Sequence, residues 1–266
     1  MPPRLRRLGR NALHRLGLLN TFHLLRAVRP SDLVAHCTHR GERFPVPGAR
    51  LRVSTAGTAD LSWFLEGGRL GARALREAVA LVGREFGSME RVLDFGCGCG
   101  RVLRHLAEAA GPEIYGADLN GAAVRWCARC LPLAGALEND LEPPLELPDE
   151  HFGLISAFSV FTHLPPGLAE RWTDELRRLL KPGGLLVLST HGDAYRDQLL
   201  PEERAEYDAG GVVVRAAATA GSNACGVYHP PEFVRTRLGR GLEPLRLVPE
   251  GAKGNPRQDL AIFRRP

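Results

Sequence analysis

Two acids and three glycines in this 266-residue chain are spaced as a nucleotide-like ligand requires. Asp94 closes a short apolar run, and Gly96, Gly98 and Gly100 follow at every second position, interleaved with Phe95, Cys97 and Cys99. Glycine in such a turn lets the backbone take positive φ and lets a ligand lie against the main chain. The helix expected just beyond it offers free N–H groups and a partial positive charge, which suits an anionic or carboxylate-bearing guest. A second apolar run, Ile114-Tyr115-Gly116-Ala117, ends in Asp118, 18 residues after Gly100. A carboxylate at that place can accept both hydroxyls of a ribose. Asn139-Asp140-Leu141 closes a third run.

Two histidines are candidates for proton transfer. His163 in S-V-F-T-H-L follows the run 151–160, and His191 follows 185–190. Each is expected at the edge of a sheet where ligands bind, although His163 could equally cap the helix that starts near Pro165. Tyr228 and His229 are outside candidates. The pairs Cys97/Cys99 and Cys127/Cys130 have spacings that zinc sites use. Small side chains inside a glycine turn, and two thiols on one inward helix face, account for them better, so no metal is expected.

From Arg91 onward the pattern alternates strand and helix, which predicts a parallel sheet covered on both faces. Strands are expected at 91–94, 113–118, 134–138, 151–160 and 185–190, with helices at 100–110, 121–130 and 165–180. Lys181-Pro182-Gly183-Gly184 reads as a helix stop and turn. Residues 191–230 are less regular and read as an insertion on the acceptor side, 229–238 as helix, and 245–248 with 259–263 as a closing pair of strands. Upstream, 61–86 has helical spacing that Gly67-Gly68 is expected to break in two. Residues 31–60 read as a connector over the body, and 1–30 as a basic helical extension, so that the domain proper covers 61–266.

At V-L-D-F-G-C-G-C-G-R the chain resembles the first motif of the class I S-adenosylmethionine-dependent methyltransferases. The resemblance continues in order through Asp118, Asn139-Asp140 and L-L-K-P-G-G at 179–184. It implies a Rossmann-like, doubly wound α/β fold with a mostly parallel seven-stranded sheet and an antiparallel last strand. It also implies methyl transfer from S-adenosyl-L-methionine to an acceptor. Carried over by position, the Gly96, Gly98 and Gly100 backbone would lie under the methionyl and ribose portions, with Phe95, Cys97 and Asn139 in the same cofactor-binding set. Asp94 would fix the turn and meet the methionine amino group. Asp118 would hold the ribose hydroxyls and Leu119 would stack on the adenine. Asp140 would accept from the adenine amine, with Leu141 on the other face and Ser159 near the methyl. Trp63, Phe64 and Arg69 would be lid candidates, with core packing the favoured role for the two aromatics. No N-P-P-Y-type motif is present; S-V-F-T occupies its place.

The net charge of +5 is unevenly placed: the first 30 residues carry seven arginines and no acid, so the remainder stands at −2. A body of that sign is no general polyanion binder, and no nucleic-acid partner is expected. No apolar run reaches the roughly 18 residues of a membrane span, and no secretory signal is evident, so a cytoplasmic enzyme with a small-molecule acceptor, possible as a homodimer, is the expectation. Two rivals remain. An NAD(P)-type oxidoreductase calls for G-x-G-x-x-G, and Arg101 stands where its third glycine belongs. The other is a non-catalytic nucleotide-binding module, or a macromolecule methyltransferase recruited by the basic extension.

Overall fold

The computed structural model describes residues 41–255 and 257–266; the basic extension at 1–30 lies outside them. In chain order the elements are α1 (Ala49–Ala56), α2 (Leu61–Leu81), β1 (Arg91–Phe95), α3 (Leu103–Leu106), β2 (Glu113–Asp118), α4 (Gly121–Cys130), β3 (Gly135–Glu138) and β4 (Phe152–Ala157). There follow α5 (Pro166–Leu179), β5 (Leu180–Thr190), α6 (Pro201–Asp208), β6 (Val213–Arg215), β7 (Gly226–Tyr228), α7 (Pro231–Phe233), β8 (Glu243–Val248) and β9 (Asp259–Arg264).

Seven strands form one sheet in the order β3-β2-β1-β4-β5-β9-β8, and β6-β7 form a separate hairpin. The first five neighbours pair parallel, while β9 runs antiparallel to β5 and to β8. The inner strands read as continuous apolar runs because both faces are buried. Successive side chains alternate between the two layers. Val92, Leu154, Val187 and Ile262 meet Leu75, Val79, Leu103 and Leu106 on one face. Leu93, Ile155, Leu186 and Phe263 meet Trp172, Leu176 and Leu179 of α5 on the other. Burying each such side chain contributes about 1.5–3 kcal/mol.

The elements depart from the sequence expectations at several places. Gly67-Gly68 does not break the lead-in segment: α2 runs unbroken through both. A Cβ on Gly68 would stand 1.9 Å from the Arg101 carbonyl oxygen, so this glycine is there for close packing of α2 against the turn after β1. The helix expected at 100–110 keeps only Leu103–Leu106 as α-helix. Lys181–Gly184 is taken into β5 as an irregularity, where pairing with β4 jumps from Phe152↔Leu180 to Leu154↔Leu185 and Gly183 takes φ 74°. The described part of the connector folds as α1, whose Arg52 is buried and donates to the Pro47 and Ala59 carbonyls.

Candidate active site

β1 and β4 are the neighbours at which the chain order reverses, so the loops leaving their C-terminal ends diverge and leave a crevice. The glycine turn fills the floor of that crevice. Gly96 and Cys97 donate their N–H groups to the Ala117 carbonyl at 2.8 and 3.0 Å, which ties the turn to β2. Gly96, Gly98 and Gly100 take φ of 75°, 54° and 81°. A Cβ at Gly96 would meet a Val160 methyl at 2.2 Å, and one at Gly98 a Thr55 methyl at 1.9 Å. Glycine is required here both by the backbone and by the neighbours.

A cleft of about 220 Å³ opens above the turn. Of the residues singled out from the sequence, Asp94, Phe95, Gly96, Cys97, Asp118, Leu119, Asn139, Asp140, Leu141, Ser159 and His163 all line it. Gly98 and Gly100 do not. Gly98 instead gives its N–H to Asp118 Oδ2 at 2.7 Å, while the Asn120 N–H reaches Oδ1 at 2.8 Å. Each Asp118 oxygen thus accepts one backbone donor and keeps acceptor capacity for a ligand hydroxyl. Burial raises the Asp118 pKa and the two N–H bonds oppose that rise. Asp94 is buried and accepts from Ser156 Oγ at 2.9 Å. Burial pushes its carboxyl up to about 7, against the Ser156 hydrogen bond and the positive Arg101.

Leu119 and Leu141 are 47% and 41% exposed, large apolar side chains left open on the cleft wall. Trp172 Nε1 donates to the Leu141 carbonyl at 2.8 Å and so positions that residue. Beside them the buried Asn139 Oδ1 has no hydrogen-bond partner. A flat apolar group with polar edges fits between such walls. These residues suit an adenosyl group bearing an amino acid: leucines for the base, Asp118 for the ribose, and Asp94 for an ammonium.

At the β4 end, Ser159 lies past the strand rather than ending it, with φ 59°. A left-handed serine is costly, and three hydrogen bonds over-determine it. Its N–H donates to Ser189 Oγ at 2.7 Å, its Oγ meets Gln258 Oε1 and Nε2 at 2.9 and 2.8 Å, and Gln258 Oε1 also accepts from Ser189 Oγ. His163 Nδ1 lies 2.6 Å from the Cys225 carbonyl, so Nδ1 carries the hydrogen and Nε2 is the free acceptor. Burial depresses its pKa, which keeps the ring neutral. His191 lies away from the cleft lining, stacked on Tyr195 and Tyr228 at 4.2 and 5.2 Å between centroids. It donates Nδ1–H to Val227 at 3.1 Å, and burial lowers its pKa to about 4. His229 is buried with neither ring nitrogen paired, and Tyr228 packs in the hairpin.

The roof comes from two segments with no local sequence signal. Thr55 of α1 accepts the Cys99 N–H at 3.2 Å, and Asn223, from the strap 216–225, donates to the Ser54 and Thr55 carbonyls at 3.2 Å. The strap is also tied to the site, because the Gly221 N–H donates to the His163 carbonyl at 2.9 Å. The three lid candidates do not line the cleft. Phe64 is core, Arg69 pairs with Glu66 and Glu42 on the outside of α2, and Trp63 stacks under Arg101 at 5.3 Å. Arg101, seen from the sequence only as a departure from a dinucleotide fingerprint, is buried on the cleft wall. Burial lowers its pKa to about 10. Cys97 and Cys127 both approach the Gly98 carbonyl. Among the described residues no cluster of His, Cys, Asp or Glu is arranged to hold a metal ion.

Residues 68–220 match the family model described as a methyltransferase domain. The chain belongs to that family and is a class I S-adenosylmethionine-dependent methyltransferase domain. It is 34% identical over 103 residues to a ubiquinone biosynthesis O-methyltransferase of Cereibacter sphaeroides, covering 38% of this chain and 40% of that protein. It is 28% identical over 113 residues to a tRNA N(3)-cytidine methyltransferase of Gallus gallus, covering 38% of this chain and 30% of that protein. The matched segments therefore span less than half of these relatives' own length. Among solved structures, an S-adenosylmethionine-dependent methyltransferase from Mesorhizobium loti superposes with a TM-score of 0.55 at 21% identity, covering 72% of this chain and 98% of that one. At that identity the likeness concerns the fold.

Proposed function

We propose that this protein transfers a methyl group from S-adenosylmethionine to a small-molecule acceptor, with oxygen favoured over nitrogen as the methylated atom. The observation that carries the reading is the convergence, on one cleft, of the Asp118 carboxylate with acceptor capacity on both oxygens, the Asp94 carboxyl and the neutral His163. The cofactor supplies a methyl carbon on a positive sulfur, open to in-line attack. The protein's part is to hold the two reactants aligned and to exclude water. Asp118 holds the ribose, Leu119 and Leu141 flank the base with Asp140 at its edge, and Asp94 receives the ammonium. The buried Arg101 guanidinium on the wall complements a carboxylate. His163, with Nδ1 committed to the Cys225 carbonyl, would take up at Nε2 the proton that the acceptor gives up as it is methylated.

A body net charge of −2 supports a small acceptor over a polyanion, as does the relative named for ubiquinone biosynthesis. The tRNA-modifying relative favours a second reading, with a nucleic-acid acceptor brought in by the arginines at 1–30. The test is thermal melting with S-adenosylmethionine, S-adenosylhomocysteine, NAD and NADP. A ligand at a hundredfold its Kd adds about 2.7 kcal/mol to stability. The first two alone are expected to raise the midpoint, and Asp118→Ala to weaken their binding at least tenfold. A shift with a nicotinamide cofactor only, or unchanged affinity in the variant, would overturn the assignment.

A further inference from the structure

Arg101 is buried on the wall of the cofactor cleft, and the groups that hold its guanidinium are neutral. Nη2 donates to Asn255 Oδ1 at 2.6 Å and Nη1 to the Gly254 carbonyl at 3.4 Å. The Trp63 ring lies 5.3 Å from Cζ. The acid whose charge reaches Arg101 is Asp94. Burial holds that carboxyl near 7, so it is only partly ionised at neutral pH. Arg101 is thus a buried cation with little compensation from the protein, a costly arrangement unless something else supplies the charge.

Asn255 is 6% exposed and belongs to the loop joining β8 to β9. The loop is firmly seated on α2. A Cβ on Gly254 would stand 2.0 Å from the Gly67 carbonyl oxygen, so backbone meets backbone there. The Asn255 N–H donates to the Ala252 carbonyl at 3.0 Å, and the Ala252 N–H to the Gln258 carbonyl at 3.1 Å. A guanidinium has only donors to offer, so it turns the Asn255 amide oxygen toward itself. The Nδ2 end is left without a partner in the protein. Three residues on, Gln258 has both ends of its amide paired, with Ser159 and Ser189.

A stranded amide donor costs stability. An aspartate in place of Asn255 would strand nothing and would grip Arg101 more strongly. It would also neutralise the guanidinium. The amide aims the cation and leaves its charge to the cleft.

We infer that Asn255 is a positioning residue for the cofactor: it orients Arg101 toward the cofactor's carboxylate and keeps the guanidinium uncompensated for that contact. The inference rests on the methyltransferase reading and adds to it a residue 154 positions away from Arg101.

The test is Asn255→Asp in the full chain, folded by thermal melting, with calorimetric titration of two ligands. One is S-adenosylhomocysteine. The other is its decarboxylated form, which keeps the ammonium and lacks the carboxylate. The wild type is expected to prefer S-adenosylhomocysteine by about tenfold or more, the scale of a hydrogen bond between charged groups. In Asn255→Asp the new carboxylate occupies Arg101, and affinity for S-adenosylhomocysteine should fall by about tenfold or more. Affinity for the decarboxylated form should not fall, because a neutralised guanidinium no longer repels its ammonium. A role confined to packing the wall would move both ligands together. Parallel loss of both, or an unchanged preference in Asn255→Asp, would therefore overturn the inference. Should Asn255→Asp not fold, Asn255→Ala reads the same ratio: a preference narrowed by about threefold or more supports the inference, and an unchanged one overturns it. Failure of the wild type to bind either ligand would strike the cofactor assignment, and the inference with it.

Discussion

Asp94 is the residue on which the site's electrostatics turn. Its carboxyl titrates near 7 when folded, against about 3.9 in an unfolded chain. A raised folded pKa means that the stability it contributes is fully present below about pH 4 and is lost as the pH rises through 7. The difference in melting temperature between wild type and Asp94→Asn should therefore open across that window in the ligand-free protein, with the wild type falling relative to the variant. Bound cofactor, bringing an ammonium, should abolish the fall, and its affinity should rise with pH through 7 in the wild type and stay flat in Asp94→Asn. Calorimetry at pH 5, 7 and 8 reads both. His163 acts through Nε2 because Nδ1 is committed to Cys225. His163→Gln should lower kcat by about 10²–10⁴-fold, the range for a positioned general base, with cofactor affinity nearly unchanged. Equal turnover in the two proteins would make it a positioning residue of the strap.

At the scale of elements, α2 shows how a glycine inside a helix can be required by what packs against it. Glycine inside a helix costs about 1 kcal/mol relative to alanine, so a merely tolerated glycine would make Gly68→Ala stabilising. The contact with the Arg101 carbonyl oxygen reverses the sign, because the obstacle is backbone and cannot turn aside. Gly68→Ala should destabilise by about 1–3 kcal/mol, the ordinary cost of overpacking. Gly83, just past α2, takes φ 72° with nothing near its would-be Cβ; there an alanine meets only the backbone penalty. Denaturant midpoints with unchanged slopes would measure both.

On the scale of the whole molecule, α1 and the strap 216–225 close over the glycine turn from opposite ends of the chain, joined through Asn223. Asn223→Ala removes the two hydrogen bonds, each worth about 0.5–1.5 kcal/mol. It should speed dissociation of S-adenosylhomocysteine about fivefold or more in stopped-flow displacement. An unchanged off-rate would show that the two segments do not act as a roof. No helix among the described residues is long and apolar enough to cross a membrane.

The sheet was legible from local pattern because each inner strand is apolar on both faces and ends at an acid or a turn residue. β2 at 113–118 and α4 at 121–130 fall where their patterns end. The floor of the cleft was legible for the same reason, since Asp94, the glycines and Asp118 sit at strand ends whose spacing is set by the βαβ repeat. Tertiary structure alone decided the rest. Thr55 lies 44 residues from Cys99, and Gln258 lies 99 residues from Ser159, and no periodicity links positions so far apart. His163 and His191 look alike in sequence, each following a buried strand. Only the packing of the hairpin β6–β7 separates them, stacking His191 against Tyr195 and Tyr228 and leaving His163 on the cleft wall. Local hydrogen bonding and periodicity specify elements. Which side chains meet across them is set by burial and close packing, and those become definite only when the chain has folded.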